Sequence, residues 1–280
     1  MRRSFRLVDV FNDVPFSGNP LGVVAAADDL SSESMQRIAR WLNLSETAFL
    51  LKPISAEADY RVRIFTLQRE LPFAGHPTLG SCHAWIKDGG APRHPTEVVQ
   101  ECGAGLIRIR IDDGALSFAA PPLLRSGPVD DALAQEIAGF LGIARSDIVD
   151  LSWADNGPGW IAALLKSAQA VRDLQPPKHF HRRLDLGVVG PGASGDPVAF
   201  EIRAFFSDHL NGIIEDPVTG SLNASVAQWL IGTGRAQPPY LVAQGTCLGR
   251  NGRVRITVDA NNQIWVGGKT ETLFVGETMF

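Results

Sequence analysis

Three side chains in this sequence are suited to moving a proton: Glu46, His76 and Asp216. Carboxylates and imidazoles exchange protons near neutral pH when burial or a neighbour brings their pKa into range. Glu46 lies in Asn43-Leu44-Ser45-Glu46-Thr47-Ala48-Phe49-Leu50, at the start of an apolar strand, where its carboxylate is expected to be partly buried. Burial would raise its pKa and suit it to proton transfer, while a charge at a strand edge is the plainer alternative. His76 and Asp216 each stand one residue before a proline, Pro77 and Pro217. A helix starting at such a proline offers unpaired backbone N–H groups and a partial positive charge, a binding place for a carboxylate. Asp before Pro is equally a capping sequence, and a histidine there can be purely structural.

An internal repeat ties these residues together. Shifting the chain by 140 positions lays Arg63 on Arg203, Phe65 on Phe205, Pro77 on Pro217, Gly80 on Gly220, Ser81 on Ser221 and Ala84 on Ala224, and it pairs His76 with Asp216. Both copies read as strand, loop, then helix. No Lys, Arg, Asp or Glu occurs between Pro77 and Lys87 or between Pro217 and Arg235, so each helix is expected to be buried all round. The small residues Gly80, Ser81 and Ala84, with their counterparts Gly220, Ser221 and Ala224, would let strands approach closely. The expected fold class is α+β, with two similar domains, each a curved, mostly antiparallel sheet around a central helix. If the two helices point at each other across a cleft, two anion-binding ends and two titratable side chains converge. A helix layered between sheets of an ordinary α/β protein is the alternative, but the hairpins here lack βαβ regularity.

Local patterns fill in the rest. Arg6–Phe11 alternates with period two, and Met35, Ile38, Ala39 and Leu42 form a helical stripe behind Ser31-Ser32 and Glu33. Ala48–Leu51 and Tyr60–Phe65 read as strands, and Gly105–Ile111 with Ala115–Ala119 as a hairpin turning at Asp112-Asp113-Gly114. Pro121–Pro128 reads as a linker, which puts the domains at 1–124 and 125–280, with the last strand free to return to the first lobe. Asp130–Leu141 is an expected helix ending at Gly142, and Gly190–Gly195 an expected loop. The tail reads as strands at Arg253–Val258, Ile264–Val266 and Leu273–Val275, with a turn at Asn261-Asn262.

Composition narrows the class. With 280 residues, 45% hydrophobic and 20% charged, the chain can bury a real core, and disorder is excluded as its main state. The formal charge of -4 argues against a nucleic-acid partner, which needs a basic face. No apolar run suggests a membrane span or signal peptide, so a cytoplasmic protein is expected. Cys82, Cys102 and Cys247 have neither disulfide nor zinc spacing, and no metal is expected. Cys82 reads as core, and His179 and His181 as surface residues. Gly157-Pro158-Gly159 and Gly249-Arg250-Asn251-Gly252 read as turns that match no phosphate loop.

Four ordered motifs carry a family resemblance: Asp9-Val10-Phe11 through Pro15-Phe16-Ser17-Gly18-Asn19-Pro20; Asn43-Leu44-Ser45-Glu46-Thr47; Glu70-Leu71-Pro72-Phe73-Ala74-Gly75-His76-Pro77-Thr78-Leu79-Gly80; and Glu215-Asp216-Pro217-Val218-Thr219-Gly220-Ser221. With Gln244-Gly245 and Gly249-Arg250 they span nearly the whole chain, which resembles the PhzF-like (phenazine biosynthesis) family. The resemblance implies a diaminopimelate-epimerase-like fold, an active site between two domains, a homodimer, and isomerisation without a cofactor. It implies Glu46 as the residue that moves a proton between carbons of dihydro-hydroxyanthranilate. His76, Asp216 and Ser221 would assist and hold the substrate, with Ser45, Gly75, Thr219 and Gly220 around it. Leu67 and Leu222 depart from the family pattern and are expected to reshape the pocket. No cysteine lies in the loops before the helices, so a two-thiol racemase is not expected. The expected activity is an isomerase acting on a small carboxylate. The alternatives are a lyase or hydratase on the same scaffold, and a catalytically silent small-molecule-binding protein.

Overall fold

A computed structural model describes residues 2–112, 114–208 and 210–280. It divides into two compact units, Met1–Ala119 with Gly267–Phe280, and Ala120–Val266. The division falls after Ala119, a few residues before the expected 124/125 boundary, and the chain's end belongs to the first unit. Asp113, in the expected hairpin turn, lies outside the described residues.

The first unit runs β1 (Arg3–Val10), β2 (Asn19–Val24), α1 (Ser32–Leu42), β3 (Thr47–Leu51), β4 (Tyr60–Phe65), β5 (Glu70–Leu71), α2 (Gly75–Lys87), β6 (Glu97–Cys102), β7 (Gly105–Asp112) and β8 (Ala115–Ala119). β1 and β2 are antiparallel, β2 and β3 parallel, β3 and β4 antiparallel. β4 then pairs antiparallel with β5 and parallel with β6, which opens the β6–β7–β8 meander. The chain's last strand, Thr270–Thr278, lies antiparallel to β1.

α1 forms where its pattern requires. The Ser31 hydroxyl accepts the Ser34 N–H at 3.2 Å, a cap that stabilises a helix by about 1 kcal/mol, and Asn43 ends it in the left-handed conformation at φ 55. Its stripe, Met35 and Ala39, packs with Phe49 and Phe65. α2 is buried along most of its length, from Gly75 to Cys82 and at Ala84. A Cβ on Gly80 would stand 2.5 Å from Leu21 Cδ2 and 3.0 Å from Val10 Cγ2, so this glycine is what lets α2 lie against β1 and β2.

The second unit contains β9 (Arg125–Pro128), α3 (Asp131–Leu141), β10 (Ile148–Asp155), β11 (Ile161–Leu165), α4 (Ala168–Arg172), β12 (Asp185–Pro191), β13 (Phe200–Ser207), β14 (Ile213–Asp216), α5 (Gly220–Gly232), β15 (Tyr240–Gln244) and β16 (Gly252–Val258); β17 (Ile264–Gly268) runs across the division after Val266, and the last strand is β18. The pairing order of the first unit recurs: β10–β11 antiparallel, β11–β12 parallel, β12–β13 and β13–β14 antiparallel, β13–β15 parallel, β15–β16 antiparallel. The 140-residue shift therefore marks a repeated fold. α2 and α5 hold the same place in each copy, between the hairpin and the parallel return strand.

Several details differ from expectation. The segment expected to be a linker contains strand β9, paired with β10 through Ser152↔Pro128; Pro128 is tolerated because it ends the strand. Gly190 lies inside β12 instead of in a loop, and a Cβ there would meet Ser167 O at 2.3 Å. Helix starts also diverge between the copies. Pro77 sits in the first turn of α2, where its missing N–H has no intrahelical role, whereas α5 begins at Gly220 and Pro217 precedes it. Among the described residues no helix is long and apolar enough to cross a membrane.

Candidate active site

In the first unit the structure brings Glu46 and His76 together. Glu46 follows the left-handed cap Asn43 and immediately precedes β3, whose five residues are all buried. His76 is the second residue of α2. His76 Nε2 lies 3.6 Å from Glu46 Oε2, with the imidazole 4% and the carboxylate side chain 17% exposed. That distance is too long for a hydrogen bond and short enough to close on a bound molecule. Burial drives the His76 pKa down to about 3, so the ring is neutral. On its other side Asn19, fully buried at the start of β2, places its amide nitrogen 3.4 Å from His76 Nδ1. Ser45 is half-buried beside Glu46, and Gly75 is the first residue of α2 and buried.

In the second unit Asp216, Thr219, Gly220 and Ser221 cluster at the start of α5. Asp216 is not a helix cap, contrary to one sequence reading: it ends β14, and Thr219 occupies the cap position. The Thr219 hydroxyl donates to Asp216 Oδ2 at 2.6 Å and accepts from Gln244 Nε2 at 2.9 Å. Gln244 Oε1 accepts the Thr219 N–H at 3.0 Å and an Asn223 N–H at 2.8 Å, while Gln244 Nε2 also donates to Asp216 O at 3.2 Å. All four side chains are buried. This network holds the backbone from Asp216 to Thr219 outside the helix, which starts later here than in the first unit. Glu215, next to it, is half-buried, and Arg203 grips both its oxygens at 2.9 and 2.8 Å.

Ser221 is held from outside its helix. Trp160 Nε1 donates to Ser221 Oγ at 3.1 Å, and Asn156 Nδ2 donates to Ser221 O at 2.8 Å. Both donors come from the loop after β10, where Asp155 Oδ1 accepts the N–H groups of Gly157 and Gly159 at 2.7 Å each and both glycines have positive φ. The stretch read as a simple turn is thus a bracket on Ser221. An indole N–H can only donate, so the serine hydroxyl keeps its proton available for an acceptor.

Leu222 does not face the candidate residues. It is fully buried against β12, where a Cβ on Gly187 would lie 2.4 Å from its Cδ1, so the large side chain is matched by a glycine on the strand. Leu67 is half-buried, and its carbonyl accepts from Arg40 Nε at 3.0 Å. Cys82 is fully buried, and desolvation pushes its thiol pKa up. No metal-ligating cluster occurs among the described residues. Two surface hollows of about 390 and 440 Å³ lie near the last turns of α5, lined by Gln228 and Gly232 among others, and neither includes a candidate residue.

Sequence reasoning did not single out Asn156, Trp160 or Asn223, and Asn19 and Gln244 figured only as members of motifs. Their roles depend on contacts 21 to 65 positions apart in the chain, which no local pattern encodes.

A family model described as phenazine biosynthesis-like protein (PhzC-PhzF) matches residues 8–276, and the chain belongs to that family. It is similar to trans-2,3-dihydro-3-hydroxyanthranilate isomerase of Pseudomonas fluorescens, with 33% identity over 88% of this chain and 87% of that protein. It is also similar to antisense-enhancing sequence 1 of Schizosaccharomyces pombe, 36% identical over 98% of both chains. A crystal structure of a PhzF-family phenazine biosynthesis protein from Enterococcus faecalis covers 100% of both chains with a TM-score of 0.80 and 25% identity. The chain is an isomerase-class enzyme with the α+β fold of that family.

Proposed function

We propose that this enzyme moves a proton between carbons of a small carboxylate substrate without a cofactor, in the manner named for its Pseudomonas relative, trans-2,3-dihydro-3-hydroxyanthranilate isomerase. The observation that carries the reading is the Glu46–His76 pair: a half-buried carboxylate 3.6 Å from a buried neutral imidazole at the first turn of a buried helix. Glu46 takes a proton from one carbon and returns it to another, a role worth roughly 10²–10⁴-fold in rate for a positioned general acid/base. His76, Asp216 and Ser221 hold the substrate and assist the proton's movement, the N–H of His76 and the O–H of Ser221 stabilising the developing negative charge, with Ser45, Gly75, Thr219 and Gly220 shaping their surroundings. Main-chain N–H groups at the starts of α2 and α5 favour the carboxylate. The homodimer implied by the family resemblance belongs to the same proposal, and light scattering of the purified protein checks it.

The test is Glu46→Gln assayed in deuterated water with trans-2,3-dihydro-3-hydroxyanthranilate. Wild type should give a product of unchanged composition whose moved hydrogen carries solvent deuterium in proportion to exchange at Glu46, and the variant should lose at least a hundredfold in rate. Equal turnover by the variant would remove Glu46 from the mechanism. Loss of water or another fragment from the product would replace isomerisation by elimination.

A further inference from the structure

Asn19 is fully buried at the first position of β2, and its side-chain amide nitrogen lies 3.4 Å from His76 Nδ1. An amide nitrogen carries only hydrogens, so a ring nitrogen facing it must present its lone pair. A neutral imidazole has a single N–H, and with Nδ1 accepting, that hydrogen sits on Nε2. Nε2 is the atom that faces Glu46 Oε2 at 3.6 Å.

We infer that Asn19 is a positioning residue that fixes His76 as the Nε2–H tautomer, so that His76 turns a hydrogen-bond donor, and not a lone pair, toward Glu46. The functional meaning rests on the isomerase reading. A neutral imidazole whose only N–H points at the reacting region can donate a hydrogen bond to an oxygen that gains charge, but it has no lone pair there to receive a proton. His76 then polarises, and Glu46 alone carries the proton between carbons. Burial of His76 keeps the ring neutral through the pH range in which this division of labour would operate. The backbone supports the geometry: Asp9 Oδ1 and Oδ2 accept the N–H groups of Gly18 and Ser17 at 2.9 and 3.1 Å, immediately before Asn19, and Asn19 pairs with Val10 on β1.

Nitrogen-15 labelling of the histidines in the full chain tests this without substrate, by two-bond correlations from the ring carbon protons to both nitrogens. The His76 signals are assigned by their loss in His76→Gln. Wild type should show protonated Nε2 and unprotonated Nδ1. Asn19→Asp, which can only accept at that point when ionised, should move the proton to Nδ1, and Asn19→Ala should yield a mixture of tautomers. An Nδ1–H tautomer in wild type overturns the inference, as does an unchanged Nε2–H tautomer in either folded variant. Because no turnover is involved, this result is independent of the Glu46→Gln experiment: the tautomer can be right where the proposed reaction is wrong, and the reverse.

Discussion

Trp160 Nε1 donates to Ser221 Oγ at 3.1 Å, which commits one lone pair of the serine and turns its proton outward. The indole thereby makes Ser221 a hydrogen-bond donor at the first turn of α5, the right polarity for a carboxylate. Calorimetric titration with 3-hydroxyanthranilate checks the consequence. Ser221→Ala should weaken binding about tenfold to a hundredfold, the loss expected for a hydrogen bond to a charged group at about 1.5–3 kcal/mol. Trp160→Phe keeps the bulk and should cost less. The double variant should bind no worse than Ser221→Ala, because the indole acts through that hydroxyl. Additive losses would show that Trp160 serves packing alone.

The Thr219 hydroxyl stands between Asp216 Oδ2 and Gln244 Nε2. Thr219→Val preserves shape and leaves a buried donor and a buried carboxylate oxygen each short of a partner. Unsatisfied buried groups cost about 1–3 kcal/mol, so urea unfolding should show a loss of that size with an unchanged m-value. Thr219→Ser should restore most of the stability.

Much of this fold is readable from the sequence because its signals are local. The cap and stripe of α1, the charge-free runs of α2 and α5, and the alternation in β1 each sit within one short stretch of chain. The repeat was legible for the same reason, since Pro77 and Pro217, or Gly80 and Gly220, coincide at one offset. What the offset could not show is that identical letters do different jobs. Gly80 lies mid-helix against Leu21, whereas Gly220 opens its helix. Asp216 resembled a cap because Asp-Pro usually is one, but Gln244, reaching from β15, claims the Thr219 N–H and delays the helix. The candidate residues were legible through motifs, while Asn19 beside His76 and Trp160 on Ser221 depend on tertiary contacts.

Leu222 and Gly187 form a matched pair across α5 and β12. Leu222→Ala should destabilise the protein by about 2–5 kcal/mol through the cavity it leaves. Gly187→Ala should also destabilise, since its Cβ would sit 2.4 Å from Leu222 Cδ1. In the double variant the new methyl occupies part of the vacated space, so the combined loss should be smaller than the sum. Strict additivity in chemical denaturation would mean that the two residues do not share one packing site.

Acid stability should report the buried histidines. Desolvation lowers His76 to about 3 from an ordinary 6.5, and His83, which also feels the charges of Lys87 on α2 and Arg6 on β1, to about 4 for the same leading cause. Between those values and 6.5 the unfolded chain takes up protons that the folded chain refuses. Stability must therefore fall as pH drops through that window and level off below it, while above about 6.5 these groups contribute no slope. Between pH 5 and 6.5 ordinary carboxylates are already ionised, so the histidines dominate there. His76 alone should contribute up to about 1.4 kcal/mol per pH unit, and the more solvated His83 less. Urea midpoints measured at pH 6.5 and 5.0 should differ less for His76→Gln than for wild type, whatever its absolute stability. An equal pH slope in both proteins would show that His76 takes up its proton in the folded state as readily as in the unfolded one, so that burial does not hold the ring neutral between pH 5 and 6.5.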